Sequence, residues 1–265
     1  LWSTPVDHNL RGMTEINPRD TLGHRCLMGV VAPATNTAVQ AEMDDLRLEG
    51  VINAHARIAN PEQRVAADAD TLAVRAAMVG GLMGAVETLV PCRPDHVILG
   101  VMVENFVGGG AAGEALVREV GQRLGCGVTD YTSAIRIALD ALFGRKIRIG
   151  LLTPFLPVGD AAARRIFEEA GHEVVRLIGL RAPSPASIGR VPLDRLRAAV
   201  AELNGPEVEV IIQVGTGLPF AAVARAAERE LGKPVLASNP VSYWRALRAC
   251  GIADAMPQHG RLFTL

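Results

Sequence analysis

The chain has 265 residues, 49% of them hydrophobic and 21% charged, and a formal net charge of −1. That length supports one large domain or two α/β lobes of ordinary size. The lack of any basic block argues against nucleic acid or an anionic membrane as partner, and 4% aromatics leave little for a base-stacking platform. Four cysteines, Cys26, Cys92, Cys126 and Cys250, contain no CxxC pair. This pattern fits a reduced, cytoplasmic setting better than a disulfide framework.

Residues 1–24 read as a polar arm interrupted by Pro5 and Pro18, without the apolar segment of a signal peptide. The ordered fold is expected to begin with a strand at Cys26–Val31, followed by the turn Ala32–Thr37 and a helix to about Leu48. Val51–Ile58 is a second strand ending in Arg57, and Asn60-Pro61-Glu62-Gln63 breaks the pattern as a flap. A helix spans Asp70–Val90; its apolar part, Ala77–Val90, is too short to cross a bilayer and contains Glu87. The strand His96–Gly100 opens the turn Gly100–Phe106, and a helix covers Ala111–Leu124. Gly127–Thr129 and Tyr131–Phe143 form the next strand and helix.

A new series opens at Ile147–Leu152 with the turn Thr153-Pro154-Phe155 and a helix Val158–Ala170 ended by Gly171. The strand Glu173–Ile178, a loop Arg181–Arg190 and a helix Leu193–Leu203 follow. Val208–Val214 is then a strand, Gly215–Pro219 its turn and Pro219–Leu231 its helix. Pro234–Ala237 and Tyr243–Cys250 are the last strand and helix. Strands alternating with helices of this length mean a parallel sheet covered on both faces.

The order of elements repeats. Gly29 and Gly150 occupy like places 121 residues apart, Val97-Ile98 and Ile211-Ile212 match at 114, and Ala134–Leu139 resembles Ser242–Leu247 at 108. The expected fold is α/β, with two pseudosymmetric parallel-sheet lobes and the site in the cleft between them. One long doubly wound sheet is the alternative. The expected partition is a first lobe of residues 25–144 plus 240–265 and a second of 145–239.

Four stretches carry a family resemblance: Gly29–Thr37, Asn105–Gly109, Arg148–Pro154, and Gly232–Val235 leading to Asn239 and Trp244. In this order the chain resembles the aspartate/glutamate racemase superfamily, in its maleate isomerase and arylmalonate decarboxylase branch. The resemblance implies two facing lobes, no organic cofactor, and a small carboxylate bound between them. It also implies a cysteine from each lobe as base or nucleophile and as acid. Here those positions hold Val101 and Gly215, so both family cysteines are missing. A family tyrosine is replaced by Phe155, and hydroxyl residues of the first turn by Met102 and Val103.

The candidate catalytic groups are therefore Glu104 and Thr216. Glu104 is a general acid or base raised by apolar neighbours, or else a carboxylate accepting amides at a helix start. Thr35, Asn36 and Thr37 lie at a strand-to-helix turn, as ligand donors or as an N-cap. Gly215, Thr216 and Gly217 make the matching turn in the other lobe, where small residues let a ligand approach the backbone. Val101, Met102, Val103, Asn105 and Phe155 are expected to line the site, and Asn239, at a strand end, to orient the ligand or begin a turn. Tyr131 is a candidate phenol and Arg57 a candidate carboxylate partner or a solvated strand-end charge. The four cysteines belong to structural positions. No HExxH or CxxC spacing points to a metal. The expected protein is a cofactor-independent, cytoplasmic homo-oligomer: an isomerase, racemase or decarboxylase of small carboxylates, or an inactive carboxylate-binding homologue.

Overall fold

The structure, a computed structural model, describes residues 20–102 and 110–265. Among these, eight strands form two parallel four-stranded sheets. The first lobe contains β1 (Cys26–Pro33), β2 (Val51–Ile58), β3 (His96–Leu99) and β4 (Gly127–Thr129). Its helices are α1 (Ala38–Asp45), α2 (Asp68–Leu89), α3 (Gly110–Leu124) and α4 (Tyr131–Phe143). The second contains β5 (Arg148–Thr153), β6 (Glu173–Gly179), β7 (Val210–Gln213) and β8 (Val235–Ala237). Between and after its strands come α5 (Pro157–Glu169), α6 (Pro185–Ile188), α7 (Leu193–Leu203), α8 (Ala221–Leu231) and α9 (Ser238–Ala249). The strand orders, β2-β1-β3-β4 and β6-β5-β7-β8, are the same, so there are two sheets and not one long one.

The repeat read from the sequence is a repeat of register. Gly29 pairs with Val97 across β1 and β3, and Gly150 pairs with Ile211 across β5 and β7. Both glycines let neighbouring side chains close over the strand. A Cβ on Gly29 would lie 3.1 Å from Leu89 Cδ1, and one on Gly150 would lie 3.1 Å from Val208 Cγ1. The central strands are apolar on both faces, as a covered parallel sheet requires. One core cluster joins the lobes, with Met28, Val30 and Ile98 from the first and Ile149, Leu151 and Val210 from the second. Each lobe also has a core on its other face, around Val86 and Leu89 or around Leu203 and Ile211.

Several boundaries differ from the sequence reading. The helix α1 stops at Asp45 instead of Leu48, since Asp44 and Asp45 oppose the helix dipole at its C-terminal end. The helix α9 starts at Ser238, five residues before Tyr243; Pro240 sits in the first turn, where its missing N–H removes no helical bond. The helix α2 runs from Asp68 to Leu89, straight through Gly80-Gly81. With its 3-10 extension to Cys92 it is long and apolar enough by composition to cross a membrane, contrary to the length reading of Ala77–Val90. Here it buries Val74, Met78, Leu82, Val86 and Leu89 against its own lobe. The Asn60–Gln63 flap lies across the second lobe: Val65 N donates to Pro183 O (2.7 Å), and Ala186 N donates to Glu62 Oε2 (2.9 Å).

Candidate functional site

In each sheet the chain turns one way after the first strand and the other way after the third. The strand order thus reverses between β1 and β3, and between β5 and β7. Ligands of open α/β sheets sit beyond the carboxyl ends of strands at such a reversal. The segments following these four strands converge on one cleft of about 130 Å³. From the first lobe it is lined by Pro33, Thr35, Asn36, Val101 and Met102, and from the second by Pro154, Phe155, Gly215, Thr216 and Gly217. The helix α2 adds Thr71, Val74, Arg75 and Met78.

Each turn is fixed by its own hydrogen bonds. In the first lobe, Asn36 Oδ1 accepts from Ala38 N and Val39 N, both at 3.0 Å, so Asn36 caps α1. Arg57 donates to Asn36 O and Gln40 Oε1, both at 2.6 Å. It braces this turn and does not line the cleft. Thr35 Oγ1 accepts from Asn60 Nδ2 at 3.1 Å. Thr37 makes no side-chain cap and is not part of the cleft lining.

In the second lobe, Gly215 has φ +112°. A Cβ there would lie 2.8 Å from Pro154 Cδ, so only glycine fits. Gly215 N donates to Ser238 Oγ (3.1 Å), and Gln213 Nε2 donates to Gly215 O (2.6 Å). The next two amides, Thr216 N–H and Gly217 N–H, have no hydrogen-bond partner among the described residues. Phe155 is set by Thr153, whose hydroxyl accepts from Phe155 N (3.2 Å) and donates to Asp160. Asp160 is itself paired with Arg181 at 2.8 Å. Burial raises the Asp160 carboxyl, and the Thr153 and Arg181 bonds counter part of that rise.

The lobes meet through side chains at this point. Asn36 Nδ2 donates to Thr216 Oγ1 (3.1 Å), and the Thr216 hydroxyl donates across to Gly100 O (2.8 Å). The Thr216 hydroxyl is thus an interlobe tie, and moving its proton would require breaking that tie. Asn239 is not at a strand end: it lies in the first turn of α9, 1% exposed and outside the cleft lining. Its Nδ2 donates to Thr216 O (3.0 Å) and to Glu42 Oε2 (2.7 Å), so it orients the turn from behind. Tyr131 is likewise buried and outside the lining; burial pushes its phenol up. Glu104, Val103 and Asn105 lie outside the described residues.

Glu42 was not singled out by the sequence reading. Ala221 N, at the start of α8, donates to its Oε1 at 2.7 Å. Burial pushes Glu42 up to about 7, against the bonds from Ala221, Asn239 and Phe220 and the charge of Arg225. The helix α8 thus begins at Ala221 with its first amides on a carboxylate of the other lobe. A signal existed: Val39, Glu42, Met43 and Leu46 share the i, i+3, i+4, i+7 spacing of a buried face, and Glu42 is the charge in it.

No cysteine is among the described residues lining the cleft. Cys26 Sγ and Cys250 Sγ lie 3.0 Å apart, far from a nucleophile's place at the strand ends. Arg75 is the one ionisable side chain among the described lining residues. Among the described residues no group of three or more His, Cys, Asp or Glu side chains is placed to hold a metal.

A family model described as arylmalonate decarboxylase (Amdase) matches residues 97–263. A maleate isomerase from Nocardia farcinica is 25% identical over 244 residues, covering 89% of this chain and 94% of that protein. An arylmalonate decarboxylase from Bordetella bronchiseptica is 30% identical over 165 residues, covering 60% of this chain and 67% of that one. The solved structure of the Nocardia farcinica maleate cis-trans isomerase bound to TRIS superposes with a TM-score of 0.79 at 23% identity, covering 90% and 97% of the two chains.

Proposed function

The chain belongs to the arylmalonate decarboxylase family, and from that premise we propose that it is a cofactor-independent isomerase or decarboxylase of a small carboxylate. The observation carrying this reading is the pair of amides, Thr216 N–H and Gly217 N–H, that have no hydrogen-bond partner among the described residues, on a turn that lines the interlobe cleft. Such donors suit a carboxylate, and more so the dioxyanion or enolate that forms from it. They are held in place beforehand: Gly215 is locked below by Gln213 and Ser238, and Thr216 is tied to the other lobe. Val101, Met102 and Phe155 make part of the cleft lining apolar, and a low-dielectric lining strengthens polar contacts made in the cleft.

In a decarboxylation, one carboxylate is held on the amides while the bond from the α-carbon to the other breaks. Carbon dioxide leaves, the electron pair spreads onto the held carboxylate, and a proton returns to the α-carbon. We assign that proton to Glu104, two residues beyond the cleft-lining Met102 in sequence. The absence of an acid, a histidine or a thiol from the described lining residues supports this choice. The one-sided chemistry follows from the second lobe, whose turn offers donors but no ionisable group.

The test is turnover of a panel of substituted malonates, maleate and α-substituted acids by the wild type and Glu104→Gln. A proton-transferring Glu104 predicts a fall of about 10²–10⁴-fold with the amide. Unchanged rates would remove Glu104 from the mechanism. A second reading, a carboxylate-binding homologue without catalysis, draws on the lack of a thiol in the described lining. Saturable acid binding that raises the melting temperature without turnover would select it.

A further inference from the structure

Among the described residues many arginines are paired with carboxylates. Arg25, Arg123, Arg145, Arg176, Arg181 and Arg225 each meet a carboxylate within 2.8 Å. Arg75 does not. It lines the cleft, half-buried, with no hydrogen bond or ion pair among the described residues, and only the longer-range charge of Asp68 acts on it. One helical turn earlier on α2, Thr71 lines the same cleft, and its Oγ1 is buried without a hydrogen-bond partner among the described residues. Residues i and i+4 lie on one face of a helix, one above the other. The surroundings are apolar: Val65, Val74, Met78 and Leu156 line the cleft as well. A guanidinium and a hydroxyl without a partner among the described residues are costly in such a place, and an incoming anion removes that cost.

We propose that Arg75 and Thr71 form a second anion subsite on the α2 side of the cleft, which selects acids carrying a second carboxylate at the far end of a short apolar body. The proposal rests on the reading that the turns of the two lobes hold a small carboxylate. The guanidinium fork accepts a carboxylate through two parallel N–H bonds, and the Thr71 hydroxyl donates a third. The other described lining residues include Val65, Val74, Met78, Val101, Met102, Phe155 and Leu156, which offer the body of the ligand no polar side chain and so favour charged ends on a hydrocarbon centre. Ligands with an apolar far end would leave the guanidinium unpaired and bind less well. A dicarboxylate of matching length is therefore favoured over the monocarboxylate with the same carbon count.

The experiment is calorimetric titration with straight-chain monocarboxylates and the matching α,ω-dicarboxylates of three to six carbons. The proteins are the wild type, Arg75→Gln, Arg75→Lys and Thr71→Val, each checked for unchanged melting before titration. The proposal predicts that the wild type prefers one dicarboxylate length over its monocarboxylate by about tenfold or more. Arg75→Gln should erase that preference by weakening the dicarboxylate about 10–100-fold while leaving monocarboxylates within about twofold. Arg75→Lys, which keeps the charge and loses the fork, should fall between. Thr71→Val should weaken the dicarboxylate by about 3–10-fold. Equal losses for both series, or no loss, would overturn the subsite while leaving the carboxylate reading of the turns intact. Failure of every acid to bind the wild type would overturn that reading and this proposal with it.

Discussion

In the first lobe the turn after the third strand runs Gly100-Val101-Met102, and its two side chains are apolar and buried. In the second lobe the turn after the matching strand runs Gly215-Thr216-Gly217, clamped by Gln213 and Ser238 from beneath and by Asn239 from behind. The strand orders are the same and the glycines of the central strands pair alike. What differs is the polar supply. At these turns the second lobe gives backbone donors, while the described part of the first lobe's turn gives apolar side chains, and Asn36 reaches across to Thr216. A duplicated frame can thus carry an asymmetric site, in which matching turns supply different chemistry.

The largest expected effect tests the clamped turn. Gly215→Ala places a Cβ 2.8 Å from Pro154 Cδ in a backbone with φ +112°; it should lose about 2–4 kcal/mol of stability and abolish acid binding. The counterpart in the first lobe, Val101→Ala, should lose only about 1–2 kcal/mol and retain binding. Urea denaturation and calorimetry on the pair measure both, and equal losses would erase the contrast between the lobes.

Thr216→Val tests the tie between them. It removes the donor to Gly100 O and the acceptor for Asn36 Nδ2, at about 1–3 kcal/mol for buried groups left unpaired. A double-mutant cycle with Asn36→Ala should give a coupling of at least about 0.5 kcal/mol. Full additivity would mean that the two turns are independent.

A smaller effect lies in pH. Glu42 is raised in the folded protein from 4.5 to about 7, so between those values the folded state holds a proton that the unfolded state has lost. Stability should therefore fall as pH rises through that window and level off above it, by on the order of 1–2 kcal/mol after solvent screening. Glu42→Gln should flatten this slope in thermal melts at pH 5 to pH 8; a variant that keeps the wild-type slope would relieve Glu42 of it. His96 acts with the opposite sign. Burial lowers it from 6.5 to about 4, so stability should be lost as pH falls through that range. It lies at the start of β3, away from the cleft, and His96→Gln should reduce the acid-side loss with acid affinity unchanged. A changed affinity would join the two edges of the sheet.

Much of this frame was legible in the sequence. The spacing of Gly29 and Gly150, with Val97 and Ile211, marked the repeat because close packing over a central strand leaves little room for a side chain. The turns that line the cleft were legible because ligands gather where the strand order reverses. The struts were not. Ser238, Asn239 and Pro240 read as a loop, and only packing of α9 on α4 and α1 makes them a helix start. Arg57 read as a candidate ligand or a solvated charge, yet it braces Asn36. Arg75 and Thr71 escaped notice because they sit in a helix whose other residues are apolar, and their meaning depends on the second lobe closing the cleft in front of them.

The most direct test of the central claim is a crystal structure with malonate or maleate bound at saturation. The account predicts a carboxylate oxygen within about 3.2 Å of both Thr216 N and Gly217 N, in the cleft between the lobes. An acid bound elsewhere, with those two amides hydrogen-bonded to protein atoms instead, would contradict it.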